Sequence, residues 1–175
     1  MYNPATGTFV LTGSMKTARV SFTGTLLPNG NDLAVGGENA QTIRIATAEL
    51  YNPSTGKWTS TGSLHVGRFA QTATVLHDGQ VLIAAGNLSP TAELYDPASG
   101  TFSVTASLPT STQNTGAALL SDGAVLLPGG YNSKWPGGPG LAQHCCVVPL
   151  RRAIRWAVGG SIWCSRHQSN TISSR

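Results

Sequence analysis

Between residues 20 and 130, apolar runs alternate with pairs of turn-forming residues. Asn29-Gly30, Asp78-Gly79 and Asp122-Gly123 each separate two such runs, the strongest short-range signal for a β-hairpin. A two-residue turn is expected at each, with positive φ at both central residues, which Asn, Asp and Gly tolerate. A second type of turn is expected at Asn52-Pro53 and Asp96-Pro97. There the Asn or Asp side chain holds the turn, Pro presets φ, and Gly56 or Gly100 supplies the left-handed residue. In the stretch between 69 and 106 the pattern predicts four strands, at about Phe69–Leu76, Gln80–Ala85, Thr91–Tyr95 and Thr101–Ala106. The second is apolar throughout, from Val81 to Ala85, so both its faces should be covered. The first carries the small residues Thr72, Ala73 and Thr74, suited to a crowded axis. Sheets stacked face to face around an axis satisfy both demands.

These elements repeat. Tyr2-Asn3-Pro4-Ala5-Thr6-Gly7, Tyr51-Asn52-Pro53-Ser54-Thr55-Gly56 and Tyr95-Asp96-Pro97-Ala98-Ser99-Gly100 are one motif written three times, with tyrosines 49 and 44 residues apart. An aromatic residue follows each tyrosine by seven positions, at Phe9, Trp58 and Phe102. Ser14-Met15, Ser63-Leu64 and Ser107-Leu108 come next, then Arg19, Arg68 and Thr112. Glycines close each unit at 37, 86 and 130. Self-similarity at such a period signals a stacked-repeat architecture.

With Gly36-Gly37 and Gly129-Gly130, the spaced Tyr and Trp or Phe, and a unit near fifty residues, the chain resembles bacterial Kelch repeats. These are similar to the propeller domain of the galactose oxidase superfamily. The resemblance covers about residues 2–130 and implies an all-β fold, a partial Kelch-type β-propeller with about three blades' worth of four-stranded antiparallel sheets. It implies little about function, because one fold hosts many. Along the chain the strands read as a half blade, two full blades and a half blade. Propellers typically have four to eight blades, so the chain is expected to be a fragment. It should form an open arc, or close by joining Tyr2–Thr12 to the hairpin Thr115–Pro128, or pair its open blade edges with a second copy to make six blades.

After Gly130 the register fails. A strand like Ala92–Pro97 is expected and none is recognisable. Residues 1–130 carry five cationic and seven acidic side chains; residues 131–175 carry six cationic ones and no acid. The pI near 9.3 therefore belongs to the tail, and no nucleic-acid-binding face is expected. The tail also holds Cys145, Cys146 and Cys164, with Trp135, Trp156 and Trp163. Residues 131–175 are read as an irregular basic tail, out of frame or otherwise unselected. They should pack little against the sheets, leave the tryptophans exposed, and leave Ala124–Pro128 as an unpaired edge.

Candidate chemistry is sparse. Copper-radical oxidation, which the superfamily suggests, needs a Tyr–Cys cross-link, a second Tyr and His ligands. Residues 1–130 have no Cys, and Tyr2, Tyr51 and Tyr95 are repeat positions, so no catalytic residue is carried over. His144, Cys145, Cys146, Cys164 and His167 lack the spacing of a zinc site. No metal and no cofactor are assigned. Arg151-Arg152 and Arg155-Trp156 are too short a basic segment to argue for a nucleic acid or membrane surface. No apolar run reaches membrane-spanning length, and the N-terminus lacks the pattern of a signal peptide. The compartment stays open, with a secreted or cell-surface parent protein as one reading.

The expected function is non-enzymatic: a binding or scaffolding module engaging a protein or carbohydrate ligand. The alternative is an inactive fragment of a galactose-oxidase-like carbohydrate-active enzyme. The binding residues are sought in the loops at one end of the sheets: Arg19, Asn39, Arg44, His65, Arg68 and Asn87. Arg19 and Arg68, at equivalent repeat positions, also have an architectural reading, as hydrogen-bond donors to neighbouring backbone.

Overall fold

The computed structural model describes residues 1–86, 89–132, 140–141 and 145–148. Among the described residues all regular structure is antiparallel β. A two-stranded sheet pairs β1 (Tyr2–Asn3) with β2 (Thr8–Phe9). The first four-stranded sheet runs in chain order through β3 (Thr23–Leu26), β4 (Asp32–Val35), β5 (Thr47–Asn52) and β6 (Lys57–Ser63). The second repeats it with β7 (Thr72–Val75), β8 (Val81–Ala84), β9 (Glu93–Asp96) and β10 (Thr101–Val104). A three-stranded sheet follows, of β11 (Ala118–Leu119), β12 (Val125–Pro128) and β15 (Cys145–Val148). A two-stranded ribbon joins β13 (Tyr131–Asn132) and β14 (Gly140–Leu141).

The two repeats are built in the same register. Leu33 pairs with Leu50 as Leu82 pairs with Leu94, and Asp32 with Tyr51 as Val81 with Tyr95. As the unbroken apolar run requires, β8 is covered on both faces, with Val81–Ala84 all buried. One apolar cluster, including Leu33, Val35, Leu64, Val81, Ile83, Tyr95 and Phe102, joins the first four-stranded sheet to the second. Another, including Leu82, Ala84, Leu108, Val125 and Leu127, joins the second to the third sheet. The second four-stranded sheet is thus buried between its neighbours, which makes the repeat interface the main source of apolar burial.

The hairpin turns differ from the two-residue form. Gly79 N donates to Leu76 O at 3.0 Å while Leu76 N donates to Gln80 O at 2.8 Å, so His77-Asp78-Gly79 form a three-residue loop. The same pair of bonds encloses Pro28-Asn29-Gly30 and Ser121-Asp122-Gly123. Only the glycines take positive φ, at 83°, 84° and 87°. A type I turn closed by a left-handed glycine achieves the reversal. The Asn and Asp side chains instead accept a backbone N–H two residues on, Asn29 from Asn31, Asp78 from Gln80 and Asp122 from Ala124. The Pro-containing turns form as the residues require. Asn52 Oδ1 and Asp96 Oδ1 accept from Ser54 N and Ala98 N, and Gly56 and Gly100 are left-handed at 67° and 68°.

The expected unpaired edge at Ala124–Pro128 is corrected. β15 pairs along β12, with Val125 opposite Val148, Leu127 opposite Cys146 and Pro128 opposite Cys145. A strand therefore arrives in third-strand register although its sequence lacks the repeat motif. Val148 stands at the register position of Tyr51 and Tyr95, and Cys146 at that of Glu49 and Glu93. Backbone pairing needs no particular side chains, which is why sequence similarity missed it. Among the described residues β1 and β2 pair only with each other, so Tyr2–Thr12 do not close onto the described hairpin Thr115–Pro128. Trp135, Trp156 and Trp163 lie outside the described residues.

Candidate functional site

The connections β4–β5 (36–46) and β6–β7 (64–71), with the segments before β3 and β11, gather at one end of the sheets. Backbone hydrogen bonds lock each unit to the next. Gly37 N donates to Arg68 O at 2.8 Å, and Ala70 N to Ser21 O at 2.9 Å. One unit on, Gly86 N donates to Thr112 O at 2.8 Å, and Asn114 N to Ala70 O at 3.0 Å. Ser21, Ala70 and Asn114 occupy the same repeat position and share left-handed φ values of 54°, 53° and 53°. Such a conformation disfavours non-glycine residues; here the inter-unit bonds hold it three times over.

Beneath these loops lie two equivalent ion pairs. Arg19 Nη1 donates to Gly36 O and Thr47 O, and Nη2 to Thr47 Oγ1 and to Glu49 Oε1 at 2.9 Å. Arg68 repeats this with Ala85 O, Thr91 O, Thr91 Oγ1 and Glu93 Oε1 at 3.1 Å. Each carboxylate also accepts backbone N–H groups of the preceding segment, Lys16 and Thr17 for Glu49, His65 and Val66 for Glu93. Burial pushes the Glu49 carboxyl up, but the Lys16 amide, the Arg19 guanidinium and the Thr17 amide together hold it below its ordinary value. Burial lowers the Arg68 pKa, with Glu93 acting against it. The third unit has Thr112 in place of the arginine; its buried Oγ1 has no hydrogen-bond partner among the described residues.

The proposed binding residues therefore separate. Arg19 and Arg68 are buried, with both Nη atoms hydrogen-bonded and only Nε without a partner among the described residues, so they face the sheets rather than a ligand and serve the architecture. Asn39 turns inward on its own loop, its Oδ1 accepting from Gln41 N and Ile43 N. Arg44 is exposed beside Glu38, with which it shares an isolated bridge. His65 is half exposed and held by Glu93, its Nδ1 lying 2.9 Å from Oε2. Asn87 lies outside the described residues.

What the sequence reading missed at this end is apolar. Val20, Ile43 and Val66 are 58%, 62% and 42% exposed, and Phe22 is 36% exposed. Val20 bridges to Glu38 and Glu38 to Arg44, while Gly67 lies against the Arg44 carbonyl, so the loops carrying these residues touch. The available signal was an apolar residue inside a polar loop, as in Thr42-Ile43-Arg44 and His65-Val66-Gly67.

At the opposite end Pro28, Asp78, Gln80, Asp96 and Pro97 line an open hollow of about 300 Å³. Its carboxylates hold their own turns. The Ala98 amide and then the Ser99 hydroxyl keep the Asp96 carboxyl below the usual range. Among the described residues no three His, Cys, Asp or Glu side chains gather as a metal site, and no helix is long and apolar enough to cross a membrane. Neither the protein-family models nor the curated proteins compared with the chain match it.

Proposed function

We propose that this chain is a run of Kelch-type propeller repeats, acting as a non-enzymatic module that binds a protein ligand at its loop end. The observation that carries the binding reading is the exposed apolar set Val20, Ile43 and Val66, flanked by Arg44 and His65. Apolar side chains rimmed by charge suit a protein surface better than a carbohydrate, whose recognition leans on polar groups. The ion-paired base beneath them supports this role, because loops fixed at both ends by Arg–Glu networks lose little further entropy on binding. Two four-stranded antiparallel sheets, joined by the same inter-unit bonds, support the propeller reading.

Panning the chain against a random displayed-peptide library, alongside a glycan array, tests the proposal. Peptides carrying apolar and acidic residues should be selected, and Ile43→Asp and Arg44→Glu should each weaken their binding at least tenfold. Selection of glycans alone, or peptide binding indifferent to both substitutions, would overturn it.

A further inference from the structure

The interface between consecutive units is formed twice inside the chain, and the two ends of the chain present its separate halves. In the inner layer each unit's left-handed residue donates its N–H to the carbonyl of the one before, Asn114 to Ala70 and Ala70 to Ser21. That series leaves Ser21 N at one end and Asn114 O at the other without a partner among the described residues. The second series behaves alike. Gly37 N and Gly86 N donate to the next unit's Arg68 O and Thr112 O, leaving Gly130 N at one end and Arg19 O at the other without a partner among the described residues. The leftover groups are a donor and an acceptor for each kind of bond, in the order that a following unit would use.

Apolar surface is distributed in the same way. Val75 and Leu119 pack against the sheet before them, while Leu26, their equivalent in the first four-stranded sheet, is 68% exposed. Tyr95 and Phe102 are 0% and 9% exposed, covered by the preceding sheet, and the Tyr95 hydroxyl meets Thr61 Oγ1 at 2.9 Å. Tyr2 and Phe9 form the same tilted pair, with ring centroids 5.0 Å apart, yet are 51% and 81% exposed. Tyr2, Phe9 and Leu26 are thus bare, where their equivalents Tyr95 and Phe102 are buried and Val75 and Leu119 partly buried against the preceding sheet.

We propose that a second copy of this chain covers them, the two copies joining head to tail at two identical seams. This rests on the stacked-repeat reading given above, and on nothing about the loop-end ligand. At each seam β1 and β2 of one copy complete the sheet begun by β11 and β12 of the other. Leu26 then faces that completed sheet, Ser21 N meets the other copy's Asn114 O, and Gly130 N meets its Arg19 O. The result is a closed ring of six four-stranded sheets, within the range at which propellers close. β15 lies along the edge of β12 that β1 would take, so the seam exchanges one third strand for another. The exchange replaces Val148 by the tyrosine that the first two repeats have at that position. At the rim the match is looser. Ala106 stands where Gly13 and Gly62 let the Gly56 and Gly100 carbonyls approach, so the Gly7 turn sits further out than its equivalents.

Sedimentation of the full chain at concentrations on the order of 10–100 µM decides the matter. The expected mass is twice 18.1 kDa. Leu26→Asp and Phe9→Asp, both on exposed positions, should each return it to a single chain, while Val104→Asp, 60% exposed but away from the seam, should leave it doubled. A wild-type monomer, or a dimer that survives both seam substitutions, would overturn the proposal. Hydrogen exchange separates the two readings. A monomer with protected Ala70 and Asn114 amides keeps the stacked repeats and removes only the second copy; unprotected amides would count against the stacking itself.

Discussion

Replacing Arg68 by Met probes the buried clamp on which the loop end stands. Arg68 has no exposed surface, and its guanidinium donates to Ala85 O, Thr91 O, Thr91 Oγ1 and Glu93 Oε1. Met fills much of the volume but supplies no donor. The Glu93 carboxylate, 1% exposed, would keep the His65 and Val66 amides and lose its counter-charge. Breaking a buried pair by removing one partner typically costs about 3–5 kcal/mol, set against about 5–15 kcal/mol for a whole domain. Arg68→Met should therefore remove a large part of the stability, and Glu93→Gln, which strands the cation instead, a similar part. The double variant carries neither charge, so its loss should fall short of the sum of the two by about 2 kcal/mol or more. Urea unfolding of the four proteins, followed by far-ultraviolet circular dichroism, closes the cycle. Single losses below about 1 kcal/mol, or a double loss equal to their sum, would refute the reading of the pair as a buried, coupled clamp.

Two further outcomes follow from the same geometry. Because the folded-state pKa of Glu49 lies below its ordinary value of 4.5, its contribution is fully present above that value. It is lost as pH falls through the depressed folded pKa. Stability measured by urea melts from pH 6 downward to about pH 2.5 should decline on that limb, and Glu49→Gln should make the decline shallower; an unchanged slope would contradict this. Gly37→Ala should cost about 2–4 kcal/mol, because φ is +94° and the new Cβ would lie 2.6 Å from Val20 O. Gly30→Ala, also left-handed at +83° but with nothing within 4 Å, should cost only about 1–2 kcal/mol; equal costs in thermal or urea unfolding would mean that the close approach carries no energy.

How far the fold was legible depends on which features are fixed by local chemistry. The Pro-containing turns were legible because Asn52-Pro53 and Asp96-Pro97 with Gly56 and Gly100 leave few alternatives for the chain. The burial of β8 followed from an unbroken apolar run. The hairpin loops were placed correctly but assigned the wrong geometry, because Asn-Gly or Asp-Gly serves both a two-residue turn and the end of a three-residue loop. The neighbours Leu27, Leu76 and Leu120 decide which, through their hydrogen bonds to residue 31, 80 or 124. β15 was illegible because Cys145–Val148 pairs through its backbone with a strand already made apolar by packing elsewhere.

The candidate site was read from its charges, and for Arg19 and Arg68 the repeated position already offered the architectural reading, donation to neighbouring backbone, that their hydrogen bonds follow. Arg19 and Arg68 look like ligand-binding side chains until their carboxylate partners are located 30 and 25 residues further along. A buried arginine of this kind specifies how the loops are held rather than what they hold. Once both arginines are withdrawn, Val20, Ile43, Arg44, His65 and Val66 remain as exposed side chains on loops fixed from below. The repeated positions thus carry the architecture, and the loop positions that break the repeat carry whatever is specific to this chain. Ile43 and Arg44 sit in a β4–β5 connection five residues longer than the β8–β9 one, counted from Gly37 to Glu49 and from Gly86 to Glu93. The longer connection leaves both ion pairs and the strand register beneath it intact while adding exposed apolar surface at the loop end.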